Sequence, residues 1–313
     1  MKFILSLLLV FSFHAIAQDC GPVNLVTMKD SPFRKIPVYD QKDTNLCYAY
    51  SAAQLVDYHR ILNGATERSV HPAWVALNYA KAKNKTNLYI GHTKEAIESL
   101  RESRNCRYNA VSYALVSWAG RKDATETGIL GAIEKFSGGQ TPVEVASMIV
   151  GPACPEDARE DLRLPSVRKF NFEQLPDDDS FEKFLKGRLD EAPFPVSIAY
   201  CSRVWKEKDY DGIKVNASGK RDSLDRNCDY HESLIVGKRK AGGSCQLLVR
   251  NSMGNGYWAK QEKSKCLCRS KTTGEFADNC SPETHPETIY SVEACWIDSD
   301  KLAKNTGVVT FME

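Results

Sequence analysis

The sequence carries no excess of either charge, since 42 Lys and Arg stand against 40 Asp and Glu in 313 residues. Nucleic acid and anionic membrane surfaces select for a basic surplus, so nothing in the composition points to either partner. A hydrophobic share of 42% and a charged share of 26% are ordinary for a globular chain, and no disordered class is needed. Long apolar runs are also lacking beyond the first residues. Residues 1–17 open with Lys2, continue through the apolar Phe3 to Phe13 and end in Ala15-Ile16-Ala17, the layout of a cleaved secretory signal peptide. That run is too short for a stable membrane anchor. Cys20 follows Gln18-Asp19 rather than small residues, which argues against a lipoprotein signal. The expectation is an exported protein, secreted or periplasmic, without a membrane anchor and monomeric.

Cysteine, by contrast, is plentiful. Eleven cysteines in an exported chain predict disulfides, and the odd count leaves at least one unpaired. If Cys47 is the unpaired one, five bridges can form among Cys20, Cys106, Cys154, Cys201, Cys228, Cys245, Cys266, Cys268, Cys280 and Cys295, with connectivity open. A structural zinc site from Cys266, Cys268, Cys280 and His285 competes. Its Cys-x-Cys spacing lacks the two-residue gap of zinc knuckles, so neither a metal nor any other cofactor is expected.

The stretch from Asp40 to Tyr58 has the pattern of a nucleophile at the start of a helix. Thr44 and Asn45 are capping types, and Ala49, Ala52, Ala53, Gln54 and Leu55 favour helix. In the first turn, the positive end of the helix dipole favours a thiolate at Cys47, the form that attacks carbonyls. Gln41, six residues upstream, carries an amide able to form an oxyanion hole with the Cys47 N–H. The competing reading is a buried or paired cysteine on an amphipathic helix.

Gln41, Cys47, Tyr48, Ala49, Tyr50 and Ser51 resemble the papain family of cysteine peptidases, which share Gln-x5-Cys-aromatic-Ala-aromatic-Ser at the start of their central helix. Two departures stand out. Thr44-Asn45-Leu46 replaces the family's Cys-Gly-Ser, and Tyr48 replaces its Trp. The resemblance implies a two-lobe α+β fold, with an N-terminal helical lobe of about 40–175 and a C-terminal β-sheet or barrel lobe of about 176–313. A short extension at 18–36 leaves no room for the family's long helical propeptide.

Further elements fit this order. Helical patterns at Pro72 to Ala82 and Lys94 to Glu102 fall within 64–125, which reads as an insertion relative to the family. Gly138 and Gly139, after Ser137, match the family's Gly-Gly edge that pairs with the substrate chain, and an ordinary turn fits equally well. Pro142 to Met148 reads as a helix, the stretch from Val150 to Pro176 as a crossover loop marked by Gly151 to Pro155 and Leu164-Pro165, and Phe181 to Leu189 as a helix capped by Asp177 to Asp179. Strands are predicted at Pro195 to Tyr200, Ser233 to Gly237 and Cys245 to Arg250. Helices first and strands second is an α+β order.

A cysteine nucleophile needs a base. His59 shares the helix of Cys47 but lies twelve residues on, roughly 18 Å away. Only His231 directly precedes an apolar strand, Leu234 to Gly237. Val249-Arg250-Asn251-Ser252-Met253-Gly254 then resembles the family's Asn-Ser-Trp-Gly, so Asn251 would orient His231, with Met253 in place of the shielding Trp. His231 follows Cys47 by 184 residues. The family spacing is about 130–150, a surplus close to the size of the 64–125 insertion.

The resemblance implies a peptide or protein substrate, and catalytic roles for Cys47, His231, Asn251 and Gln41. Beside them it implies a substrate-binding edge at Gly138 and Gly139, and Tyr230 at the rim of a side-chain pocket. A silent papain-like module that binds without cutting is the alternative. The Cys- and Lys-dense 259–287 stretch reads as a disulfide-stapled loop, and Asn84-Lys85-Thr86 and Asn216-Ala217-Ser218 are glycosylation acceptors in a eukaryotic host only.

Overall fold

The computed structural model describes residues 20–42, 44–120, 125–136, 138–171, 178–191, 194–206, 228–254, 266–280, 285 and 288–313. The expected leader at 1–17, Ser137, Asp177, the Asn216 acceptor, Asn255 to Trp258 and residues 259–265 lie outside these, as does the Phe181 side chain.

A short strand, β1 (Val23–Asn24), precedes the helical half. Helix α1 (Cys47–Leu62) is buried on nearly all sides from Tyr48 to Tyr58. Ala49, Ala52 and Ala53 let neighbouring elements approach its backbone closely, and none is exposed. Helix α2 (Pro72–Ala82) starts at a proline, with the His71 ring accepting from the Ala73 N–H at 3.1 Å as its cap. Helix α3 (Thr93–Ser103) follows, then α4 (Tyr108–Ala119), which ends at Gly120 in the left-handed region, φ 62°. Helix α5 (Glu126–Glu134) and α6 (Pro142–Val150) complete the group, and α6 opens with a capping box between Thr141 and Glu144.

The second half is a sheet. Its elements are β2 (Val167–Asn171), α7 (Asp178–Glu191), β3 (Val196–Cys201), α8 (Arg203–Lys206), β4 (Tyr230–Ala241), β5 (Ser244–Arg250), β6 (Cys266–Ser270), β7 (Phe276–Cys280), β8 (Tyr290–Asp298), α9 (Ser299–Asn305) and β9 (Thr306–Met312). The strand order is β2-β9-β3-β4-β5-β8-β6-β7, with β1 also paired to β4, and all pairs are antiparallel. The α+β class and the helices-then-strands order follow the sequence pattern. Helix α1 packs against β3 and β4, so the seam between helices and sheet runs along its length.

Residues 64–125 are not an appendage. Helices α2 and α3 pack on each other and on α1, and Trp74, Leu77, Ile97 and Leu100 are buried in the common core. Helices α4, α5 and α6 pack together outside them.

Four disulfides join Cys20 to Cys245, Cys106 to Cys154, Cys266 to Cys295 and Cys268 to Cys280. The last two use the sulfurs of Cys266, Cys268 and Cys280, which overturns the competing zinc site: a sulfur already in a disulfide is no thiolate ligand. They staple the far edge of the sheet, joining β6 to β8 and β6 to β7.

Candidate active site

Cys47 is the first residue of α1, half-buried, with its sulfur outside the four disulfides. The cap differs from expectation. Leu46 occupies the N-cap without a side-chain bond, while the Thr44 hydroxyl turns back to donate to the Gln41 carbonyl at 2.7 Å. No Leu46 side chain caps the first turn, the Ala49 N–H donates to the Leu46 carbonyl at 2.8 Å, and the N–H groups of Cys47 and Tyr48 face the sulfur, joined by the N–H of Glu232 from β4.

These donors do not win. Burial, aided by the nearby Glu232 carboxylate, pushes the Cys47 thiol up to about 12 against the pull of the three N–H groups. The thiolate expected from the helix dipole is thus opposed by the loss of water around the sulfur.

His231 lies in β4 and Asn251 just past the end of β5, two strands paired in antiparallel register. The His231 Nε2 is 2.6 Å from the Asn251 Oδ1. An amide oxygen only accepts, so Nε2 donates and Nδ1 is left as the other ring nitrogen. The Ser252 N–H donates to the same oxygen at 2.7 Å, which fixes the orientation of the Asn251 amide. Both residues are buried, and Tyr200 packs edge-on against the His231 ring at 5.9 Å.

Arg250, one residue before Asn251, anchors this strand end. Its fully buried guanidinium donates to Gln54 of α1 at 3.0 Å, to the Ile36 carbonyl at 2.8 Å and to Glu293. Glu293 is also 2.7 Å from Arg269. A buried charge is tolerated only when paired and hydrogen-bonded, and here the ion pair joins β5 to β8 while the Gln54 bond ties β5 to α1.

Gln41 is buried beside them. Its side-chain nitrogen donates to the Thr44 carbonyl at 2.8 Å, and its oxygen accepts from the Ser252 hydroxyl at 2.5 Å. The amide is oriented from both ends and carries a second N–H. The Gln41 backbone N–H reaches the Ser252 carbonyl at 2.6 Å, and Asp40 bridges to Met253.

Gln41, Cys47, His231 and Met253 line one cleft of about 770 Å³, with Tyr230 at its wall. Gly138 and Gly139 do not line it and lie in the approach to α6. The glycine at the cleft is Gly91, between Ile90 and His92, which the sequence reasoning missed. A Cβ there would fall 2.6 Å from the ring of Tyr48, so glycine is required by the large residue after Cys47. Ile90 takes φ 59°, the region normally left to glycine. Glu232, which faces the same cleft, was also missed, because its position after the candidate base reads simply as the next residue of the strand.

The sequence matches no protein-family model and no curated protein. Among solved structures the chain is similar to xylellain, a cysteine protease from Xylella fastidiosa. The TM-score is 0.52 at 16% identity, over 93% of this chain and 85% of that one. Procathepsin L 3 from the larval midgut of Tenebrio molitor gives 0.42 at 11% identity, over 93% and 69%. A recombinant stem bromelain precursor gives 0.45 at 11%, over 90% and 67%. With the first of these, the chain has the papain-like fold.

Proposed function

We propose that the chain is a cysteine peptidase, with Cys47 as nucleophile, His231 as base and then acid, Asn251 as the residue positioning His231, and Gln41 as an oxyanion donor. The observation that carries this reading is the convergence of the Cys47 sulfur, the 2.6 Å His231–Asn251 pair and the oriented Gln41 amide on one cleft.

The mechanism follows from these positions. His231 Nδ1 takes the Cys47 proton as the sulfur forms a bond to the peptide carbonyl carbon, giving a tetrahedral oxyanion and an imidazolium. The Cys47 N–H and the second Gln41 N–H donate to that oxyanion. The imidazolium protonates the departing amine as the C–N bond breaks, leaving a thioester. Water, deprotonated by His231, attacks the thioester and returns the thiol.

The raised thiol pKa gives this scheme a particular form. Burial works against the Cys47 thiolate, so the scheme calls on His231 to take the thiol proton, helped by the three N–H groups that face the sulfur. The same observation favours one rival, a papain-like module that binds without cutting. Treatment of the folded protein with an epoxide inhibitor of cysteine peptidases separates them. Mass spectrometry is expected to find the adduct on Cys47, together with hydrolysis of an unstructured protein such as casein. Folded protein with neither adduct nor hydrolysis would overturn the peptidase reading in favour of the silent module.

The four disulfides support an oxidising compartment as the place of action, in keeping with export.

A further inference from the structure

Beside Cys47, the cleft contains a carboxylate that the proposed chemistry does not use. Glu232 follows His231 on β4, and its side chain is 8% exposed. Its strand partner on β3 is Ala199, and the partner of Ala199 on β9 is Val308. Residues directly opposite across a sheet share a face, so Glu232, Ala199 and Val308 form one row, and all three line the cleft. The opposing wall is Ile90, Gly91 and His92, just before α3.

This is a pocket with aliphatic sides and one carboxylate. Small Ala199 leaves depth at its centre. The two carboxylate oxygens are treated differently: Oε2 accepts from the N–H of Thr93 at 3.1 Å and from the Thr93 hydroxyl, whereas Oε1 faces the half-exposed His92 ring, with Nδ1 at 3.7 Å. That is ion-pair distance for a protonated ring but beyond hydrogen-bond length, so Oε2 is held by two donors while Oε1 has this one longer contact to a half-exposed ring. Other charged groups at the cleft are Asp229, which adds to the negative field, and Lys42, on the Gln41 side.

We propose that the row of Glu232, Ala199 and Val308 is the floor of a pocket for a lysine or arginine side chain of the substrate, the cation meeting Glu232 Oε1 and the stem lying on Ala199 and Val308. Lysine and arginine combine an apolar stem with a charged tip, and that division matches the walls of this pocket. An apolar side chain would leave the buried carboxylate uncompensated, and an acidic one would add a like charge. The inference rests on the peptidase reading and gives it a substrate class.

A second effect supports it. The Glu232 charge is one of the causes that disfavour the Cys47 thiolate. A bound cation offsets that charge, so the preferred side chain also eases formation of the nucleophile, and the preference enters turnover as well as affinity.

The test uses fluorogenic peptides that vary one of the positions preceding the cleaved bond among arginine, lysine, citrulline, leucine and glutamate. Citrulline keeps the shape of arginine without its charge. At one position, arginine is expected to exceed citrulline in kcat/KM by about 10-fold or more, the scale of a desolvated charge-assisted contact. Glu232→Gln, which keeps an acceptor for Thr93, is expected to bring that ratio to within about twofold. Ala199→Leu, which fills the floor, is expected to lower cleavage of the arginine peptide about 10-fold while epoxide labelling of Cys47 persists. Equal cleavage of arginine and citrulline peptides by the wild type would overturn the proposal whatever the variants do. So would an arginine preference that survives in either folded variant. Absence of both the epoxide adduct and all peptide cleavage would instead remove the peptidase reading beneath it.

Discussion

Gln41 and Asn251 are both buried amides, yet the proposed chemistry asks different things of them. Gln41 acts on charge present only in the transition state, so Gln41→Ala is expected to lower kcat by about 100-fold with little change in KM. Small reagents such as iodoacetamide, which need no oxyanion hole, should alkylate Cys47 of this variant at nearly the wild-type rate. Asn251 holds the His231 ring through the 2.6 Å bond, so Asn251→Ala is expected to slow that alkylation as well as turnover. Rates measured on folded protein check the pair. Equal suppression of alkylation by both substitutions would refute the separate roles.

At the scale of elements, the site is where three structures meet: the start of α1, the paired β4 and β5, and the loop before α3. The loop sets a steric condition, since Gly91 lies against the Tyr48 ring, and Tyr48 itself is pinned by its hydroxyl donating to the Leu88 carbonyl at 2.6 Å. Gly91→Ala is expected to destabilise the protein by about 1–3 kcal/mol, because a methyl must displace a fixed ring. Thermal unfolding checks this, and an unchanged Tm would show that the loop yields freely.

The same elements show what the sequence made legible. A cysteine before an alanine-rich helix and a histidine and asparagine on successive apolar strands are local patterns, and the fold puts Cys47 and His231 at one cleft with Asn251 bonded to the ring. Helix α2 also matches its expected bounds of Pro72 and Ala82. Gly138 and Gly139 stand out in the sequence because paired glycines mark a backbone that can approach a ligand, and they do not line this cleft; Ile90, in the left-handed conformation, and Gly91 do. Glu232 was invisible because its surroundings come from Thr93, His92, Ala199 and Val308, which lie far apart in the chain.

Across the whole molecule, the disulfides tie down regions that the sheet cannot hold alone. Cys20–Cys245 secures the N-terminal segment to the β4–β5 hairpin, and Cys106–Cys154 closes the helical half. Cys201 pairs in register with Tyr230, and the next N–H, that of Ser202, donates to the Asp229 carbonyl at 2.9 Å. Continuing this antiparallel path brings Cys228 to the end of β3 that carries Cys201. A fifth bridge, Cys201–Cys228, is therefore expected, with Cys47 as the one thiol that alkylates without reduction. A non-reduced peptide map finding Cys47 in a disulfide, or Cys201 and Cys228 both alkylated, would contradict it.

Stability should also depend on pH through three acids: Asp57 and Glu134, both pushed up to about 7 by burial, and Glu126, held low. Asp57 of α1 is fully buried, and burial pushes its carboxyl up to about 7 even though its Oδ1 accepts from the Ser69 and Val70 N–H groups at 2.7 and 3.1 Å. An unfolded aspartate titrates near about 3.9, so between roughly pH 4 and 7 the native state holds a proton that the unfolded chain has released. Its contribution is complete below that window and is lost as pH rises through 7. Glu126 behaves in the opposite sense. Burial disfavours its charge, but hydrogen bonds from His71, Ser112 and Tyr108 outweigh that and hold it at about 2. Its contribution is present above the ordinary glutamate range, near about 4.3, and is lost as pH falls toward 2. The two effects combine to favour mildly acidic conditions. Asp57→Asn keeps an acceptor for Ser69 and Val70 and removes one titration, so it is expected to lessen the decline in Tm between about pH 5 and 7.5, with Glu134 supplying the remainder, while leaving the acid limb set by Glu126 in place. Scanning calorimetry across the range tests this. A decline of the same slope in the variant would place its origin in groups other than Asp57.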